Sequence, residues 1–169
     1  MRQIKINSTI GGEIITAQDV KDYVRIDTNE DDALITRMIT EARIWCENYI
    51  SRDIVAKNRT YYLADTSGLF DLPFAPIETV TGVTIEGEAA TFTEYGLDDL
   101  SIELDGGPSS NVKVTYTTQG LNDGLIKQAL LQMVSNYYDN RADFVTGTIV
   151  SDIPTNVKNI LSGYKTMFI

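Results

Sequence analysis

The stretch Asp123–Arg141, DGLIKQALLQMVSNYYDNR, constrains the fold more than any other part of the chain. Its apolar residues cover more than one face at 3.6 residues per turn, so a helix formed here must have neighbours on several sides. Asp123 is suited to cap the first turn, and Arg141 places a cation near the carbonyl end. The sequence therefore predicts a central helix over 123–141, with Tyr137 largely buried. Its predicted core residues are Leu125, Ile126, Ala129, Leu130, Leu131, Met133, Val134, Tyr137 and Tyr138.

Helical periodicity also precedes this stretch. Thr16 and Asp19 have the spacing of a capping box, which predicts a short helix over 17–24. Apolar residues then recur at spacings of three and four and predict a longer helix over 31–50, with Trp45 largely buried. This second helix should pack on the central helix.

The middle of the chain changes from helical periodicity to alternation. Leu100, Ile102 and Leu104 alternate with polar residues, and a Gly-Gly-Pro turn leads into a second alternating run over 112–116. This pattern predicts a hairpin with one buried face. Further strands are expected at about 58–63, 77–85 and 90–95, giving four or five short strands in all.

The sequence thus predicts an α+β fold with a mainly helical core of three to four helices and an inserted small antiparallel β module. The last of these helices begins near Pro154. We expect a single domain of 169 residues. Its predicted parts are a helical core over 16–53 and 119–165, a β module over 54–118, an N-terminal arm over 1–13 and a C-terminal tail over 164–169.

The charge of the chain argues against tight binding to nucleic acid. The net charge is −10, and residues 51–122 carry 4 basic and 11 acidic residues. Neutralising phosphates requires Lys and Arg, which supply most of the sequence-independent affinity for DNA. The N-terminus has no signal-peptide pattern and the chain has no long apolar run, so we expect neither secretion nor a membrane span.

The sequence contains little that could carry catalysis. It has no histidine, and its single cysteine, Cys46, cannot form an internal disulfide or a multi-cysteine metal site. Residues 27–31 resemble the start of a calcium loop, but Asp32 replaces the required glycine and Met38 replaces the bidentate glutamate. We therefore predict no enzyme activity, no cofactor and no metal site. A pair of catalytic carboxylates stays open, because acidic residues are plentiful.

The C-terminal region is the predicted partner-binding part. Residues 142–152 form a polar loop long enough to project, and the tail ends in apolar residues that need cover. The tail either docks on another protein or folds back on its own helices. The predicted partner-binding residues are Phe144, Val145, Thr146, Tyr164, Met167, Phe168 and Ile169.

The order of several segments resembles the head-tail connector (adaptor) family of long-tailed bacteriophages. The opening segment is ITAQDVKDYVRIDTNEDDALITRMITEARIWCENYISRDI. Later segments are LPFAPIETVTGVTI, VKVTYTTQG, IKQALLQMVSNYYDNR and IPTNVKNILSGYK. The resemblance covers roughly residues 14–165 and rests on the order and spacing of these segments together.

This resemblance implies a virion structural protein that is neither an enzyme nor cofactor-dependent. Such connectors form a homo-oligomeric ring, commonly of twelve copies, beneath the portal protein, and they dock the next neck or tail-completion protein. Genomic DNA passes through the channel without tight specific binding, and the chain would occupy the host cytoplasm during assembly. The alternatives from the residues alone are an acidic DNA mimic, another small binding protein and a hydrolase. A large ring in native mass spectrometry would favour the connector over all three.

Overall fold

The computed structural model describes residues 1–140 and 155–165. Within them the chain forms two compact units. The β unit comprises residues 1–12 and 51–121, and the helical unit comprises the described residues 13–50, 122–140 and 155–165. The strands are β1 (Arg2–Thr9), β2 (Lys57–Thr66), β3 (Leu69–Asp71), β4 (Ile77–Ile85), β5 (Glu88–Ala89), β6 (Phe92–Gly96), β7 (Leu100–Leu104) and β8 (Ser109–Thr118). The helices are α1 (Ala17–Val24), α2 (Asp32–Ile50), α3 (Gly124–Asp139) and α4 (Thr155–Ser162).

The predicted fold class is wrong in its proportions. The described residues form four helices and eight strands in two antiparallel sheets, with about 36% strand and 34% helix. The sequence pattern underestimates the strands because β3 and β5 have only three and two residues. In addition, two buried positions of β2 are occupied by Lys57 and Arg59. The start of this strand therefore lacks the alternation of apolar and polar residues that indicates a strand with one buried face.

The β unit consists of a five-stranded sheet in the order β1-β2-β8-β4-β5 and a three-stranded sheet in the order β3-β7-β6. The two strands of the predicted hairpin are observed as β7 and β8, but the hairpin itself is wrong, because β7 pairs with β3 and β6 whereas β8 pairs with β2 and β4 in the other sheet. Residues from both sheets form one hydrophobic core. Its buried members are Tyr61, Leu63, Phe70, Leu72, Ile77, Val83, Ile102, Leu104, Val112, Val114 and Tyr116.

The N-terminal residues form a strand that the sequence analysis does not assign. β1 pairs antiparallel with β2, with Arg2 opposite Leu63 and Lys5 opposite Thr60. Every residue of β1 is exposed. The segment predicted as an arm over residues 1–13 therefore includes an edge strand of the larger sheet.

The helices of this unit are observed where the sequence predicts them, but the predicted core of α3 is wrong at Leu125, which is 56% exposed, and Leu131 and Tyr138 are only half-buried. Thr16 and Asp19 form the predicted capping box of α1. The Asp123 carboxylate accepts a hydrogen bond from the Leu125 amide at 2.7 Å and caps α3. α3 packs against α1, α2 and α4, which confirms that the central helix has neighbours on several sides. The fully buried residues of α3 are Ile126, Ala129, Leu130, Met133 and Val134.

The predicted burial of two aromatic residues is wrong. Trp45 and Tyr137 are both only half-buried. The Trp45 ring stacks on Tyr49 of the same helix, with 5.1 Å between the ring centroids. Large amphipathic rings fit the rim of a helical interface, where one edge of the ring stays in water.

Candidate functional site

The groups that could carry chemistry have structural partners. Cys46 is fully buried, and burial raises the pKa of its thiol to about 12. The thiol therefore stays protonated at neutral pH and is a poor nucleophile. Within residues 1–140 and 155–165, no cluster of three or more Asp, Glu, His or Cys side chains could hold a metal ion. No helix in the same ranges is long and apolar enough to span a membrane.

The segment with the partial calcium-loop pattern contributes to helix packing instead. The Asn29 side chain accepts a hydrogen bond from Lys21 Nζ at 2.6 Å. Lys21 also forms an ion pair with Asp32 at 2.9 Å. The Asp31 carboxylate accepts a hydrogen bond from the Tyr138 hydroxyl at 2.5 Å. These contacts join α1, the start of α2 and α3.

Among the seven predicted partner-binding residues, Tyr164 lies in the described part of the chain. The other six, at positions 144–146 and 167–169, lie outside it. The Tyr164 hydroxyl donates to the Asp123 carboxylate at 2.5 Å, which raises the pKa of Tyr164 to about 12 and lowers the pKa of Asp123. Lys165 Nζ lies 5.0 Å from the centroid of the Tyr49 ring. The end of α4 is thus fixed to the N-terminus of α3 and to α2.

The β unit contains a buried cluster of charged residues centred on Asp53, which is 0% exposed. Its carboxylate accepts hydrogen bonds from Lys57 Nζ at 2.8 Å and from Arg59 Nε at 2.7 Å and Nη2 at 2.6 Å. The Thr118 hydroxyl donates to the same carboxylate at 2.8 Å. The guanidinium carbon of Arg59 lies 3.8 Å from the centroid of the Phe74 ring.

The electrostatics of this cluster favour a structural role. Burial acts to raise the pKa of Asp53, but the hydrogen bonds and charges of Arg59 and Lys57 outweigh it, so the pKa is lowered. A buried charge persists only when it is paired and hydrogen-bonded, and the Asp53 carboxylate meets both conditions. The cluster connects the chain before β2 with β2 and β8. Sequence analysis missed it, because its members are up to 65 positions apart.

The larger sheet also has an accessible outer surface. An open groove of about 760 Å³ crosses β1, β2 and β8. Its lining includes two lysines and no acidic residue. The lining residues are Gln3, Ile4, Lys5, Asn7, Thr60, Tyr62 and Lys113.

The fold is similar to that of proteins in assembled particles. A chain from the neck of an empty gene transfer agent particle, computed with C6 symmetry, matches with a TM-score of 0.77 and 18% identity. A chain from the neck of the native particle, computed with C12 symmetry, matches with a TM-score of 0.76 and 17% identity. A chain from the virion of the native particle also has a TM-score of 0.76, at 18% identity. Each match covers 99% of this chain and 97% of the other. No curated protein matches the chain in sequence.

These similarities define a class of fold, the two-unit α+β fold of chains found in particle necks. The family described as head completion protein matches residues 13–167, which is most of the chain. The protein therefore belongs to the head completion protein family. This membership confirms the resemblance to head-tail connectors and the predicted role as a connector of phage-like particles.

Proposed function

We propose that this head completion protein acts as one subunit of a closed ring, commonly of twelve copies, beneath the portal protein. The observation that carries the proposal is the family match over residues 13–167, supported by fold similarity to neck chains of particles computed with C6 and C12 symmetry. Such a ring lengthens the DNA channel and presents a surface for the next neck or tail-completion protein. The subunits gather in the host cytoplasm during assembly and remain in the virion.

The proposed role is structural and needs no cofactor. Its support is the use of chemically capable groups as structural contacts, above all the protonated Cys46 thiol and the enclosed Asp53 carboxylate. The family match runs through both units, so we treat them as one connector domain. No specific observation favours a DNA mimic or a hydrolase.

Genomic DNA should pass through the channel without tight binding. With 24 acidic and 14 basic residues, the subunit neutralises few phosphates without repulsion from the rest of its surface. We expect no stable complex with duplex DNA in a gel-shift experiment at physiological salt. A tight complex formed by the isolated protein would contradict this part of the proposal.

The C-terminal segment is the proposed contact with a neighbouring neck protein. Tyr164 fixes the end of α4, and the apolar residues Met167, Phe168 and Ile169 follow it. Deleting residues 167–169 should leave the melting temperature unchanged and prevent attachment to portal-bearing heads. A truncated protein that melts normally and still completes infectious particles would refute this contact, as would one that loses stability first.

The whole proposal is tested by removing the protein from the particle. Without it, we expect DNA-filled heads that carry a portal but no tail, and purified protein should restore tail attachment. The control is the same preparation complemented with the Asp53→Asn variant, whose β unit should be poorly folded. Complete tailed particles formed without the protein would contradict the proposed function.

A further inference from the structure

β1 is a free edge of the five-stranded sheet. Among the described residues it pairs with β2 on one side only, and all eight of its residues are exposed. The Ala64 amide donates to the Met1 carbonyl at 2.9 Å. In an antiparallel ladder, successive residues of a strand alternate between bonding to the neighbouring strand and pointing away from it. Because Met1 bonds to β2, the amides of Ile4 and Ile6 point away from β2. The outer side of β1 thus offers backbone donors and acceptors to another strand.

The side chains of β1 extend beyond the hydrophobic core. Ile4 lies opposite Tyr61, and Ile6 lies opposite Arg59. Both partners are buried, whereas Ile4 is 37% and Ile6 49% exposed. Directly opposite residues share one face of a sheet, so these isoleucines are on the core-facing side but lack cover. Apolar side chains at such a position favour a further apolar neighbour.

The opposite edge of the same sheet is also incomplete. β5 pairs with β4 only at Thr84 and Ile85. The outer edge of β4 over residues 78–82 therefore has no neighbouring strand within the described part of the chain. Val80, which lies on this edge, packs at the margin of the core and is only partly buried. This edge, like β1, combines a free backbone with a partly covered apolar surface.

The two edges carry opposite charge. Residues 1–12 contain Arg2 and Lys5 and no acidic residue. Residues 77–90 contain three acidic residues and no basic residue. These acids are Glu78, Glu86 and Glu88. The complementarity favours contact between unlike edges and disfavours contact between two copies of the same edge.

We propose that β1 of one copy pairs antiparallel with the free edge of β4 in the next copy. This inference rests on the proposed ring and names the surface that joins its subunits. Every neighbouring pair in the sheet is antiparallel, so β1 and β4 run in opposite directions and a further copy of β1 continues the alternation. The contact uses two different surfaces of each copy, as the head-to-tail contact of a closed ring requires. It also covers both exposed edges.

A proline substitution tests the contact through the backbone. The Ile4 amide points away from β2, so Ile4→Pro removes a donor from the free edge and leaves the β1–β2 ladder intact. Ile4→Val is the matched control because it keeps the amide and an apolar side chain. Both variants should have the melting temperature of the parent protein. Each variant is added to heads that lack the protein. The Ile4→Val variant should form rings and complete the heads, whereas the Ile4→Pro variant should form no rings.

Cross-linking identifies the contact even if Ile4→Pro is poorly folded. Rings are assembled from a mixture of ¹⁴N- and ¹⁵N-labelled protein and treated with a zero-length reagent that joins amines to carboxylates. We expect mixed-isotope links between Lys5 and the acids of residues 77–90. Rings whose intermolecular links exclude Lys5, or that form normally from a folded Ile4→Pro variant, would overturn the inference and leave the proposed function standing. If particle necks contain no ring of this protein, the proposed function fails as well.

Discussion

The β unit and the helical unit each enclose a cluster of charges, but the two clusters have opposite composition. In the β unit, the Asp53 carboxylate lies between two cations. In the helical unit, the Arg43 guanidinium lies between Glu13 at 2.8 Å and Glu47 at 2.9 Å. Both central groups are buried. One unit therefore encloses a carboxylate between cations, and the other encloses a cation between carboxylates.

The clusters also differ in what they join. Arg43 joins Glu47, one turn further along α2, to Glu13, which precedes α1 and is 30 positions from Arg43. Asp53 binds Lys57 and Arg59 of β2, which are four and six positions away, and Thr118 of β8, which is 65 positions away. We expect the Asp53 cluster to contribute to the junction of β2 with β8, and the buried apolar residues of α3 to stabilise the helical unit.

The largest effect is expected from Asp53→Asn. The substitution leaves Lys57 and Arg59 buried without their carboxylate, so it should lower the free energy of unfolding by about 3–5 kcal/mol. The matched control is Asp99→Asn, because Asp99 pairs with Arg52 through a side chain that is 61% exposed. That change should cost less than about 1 kcal/mol. Similar losses in chemical denaturation of the two variants would show that the cluster does not stabilise the β unit.

A core truncation probes the apolar stripe of the helical unit. Met133 on α3 is fully buried, so Met133→Ala should cost about 2–5 kcal/mol. Leu125→Ala on the same helix is the control, since Leu125 is 56% exposed. Its effect should stay within about 0.5 kcal/mol. If both variants unfold at the same denaturant concentration, α3 is not the core of its unit.

Acid should act on the β unit through Asp53. Its pKa is lower in the folded protein than in the unfolded chain, so its stabilisation is complete above the unfolded value of about 4 and is lost as the pH falls through the folded value. We expect β2 and β8 to lose hydrogen-exchange protection over that interval. In Asp53→Asn the same pH change should have a smaller effect. If the parent protein and the Asp53→Asn variant had the same pH dependence, the acid sensitivity of the β unit would not come from Asp53.

The smallest effect is expected at the start of α1. Thr16→Ala removes the hydroxyl that accepts the Asp19 amide at 3.1 Å and should cost about 1 kcal/mol. Thr28→Ala, at an exposed position between α1 and α2, is the control and should be nearly neutral. Thermal melts of the two variants make the comparison. A Thr16→Ala variant as stable as the control would mean that the capping box does not contribute to the helical unit.

The helices could be predicted closely because their signals are local. The predicted helix over 31–50 is observed at Asp32–Ile50, and the predicted helix over 17–24 at Ala17–Val24. Caps and a repeat of three and four residues lie within each segment. The strands were harder to predict, since β1 pairs with residues of β2 that are 48 to 61 positions away. Strand pairing at such a distance leaves little mark on the sequence of either strand.

The candidate sites show the same limit. The Asp53 cluster was not predicted, because an Asp followed closely by Lys57 and Arg59 is a pattern typical of an exposed charged surface. The free edges of the sheet were not predicted either, although Ile4 and Ile6 alternate with polar residues, which is typical of a strand. The predicted partner-binding residues at 144–146 and 167–169 stay predictions. Their role depends on other proteins in the neck.

The central claim, that this chain is a ring subunit of the neck, is tested most directly by electron cryomicroscopy of necks from assembled particles. We predict a closed ring between portal and tail whose repeating density fits both units of this chain, with β1 of one subunit beside β4 of the next. Mass spectrometry of the same necks should detect the protein in a constant ratio to the portal. Necks of complete particles that lack this density and this protein would contradict the claim.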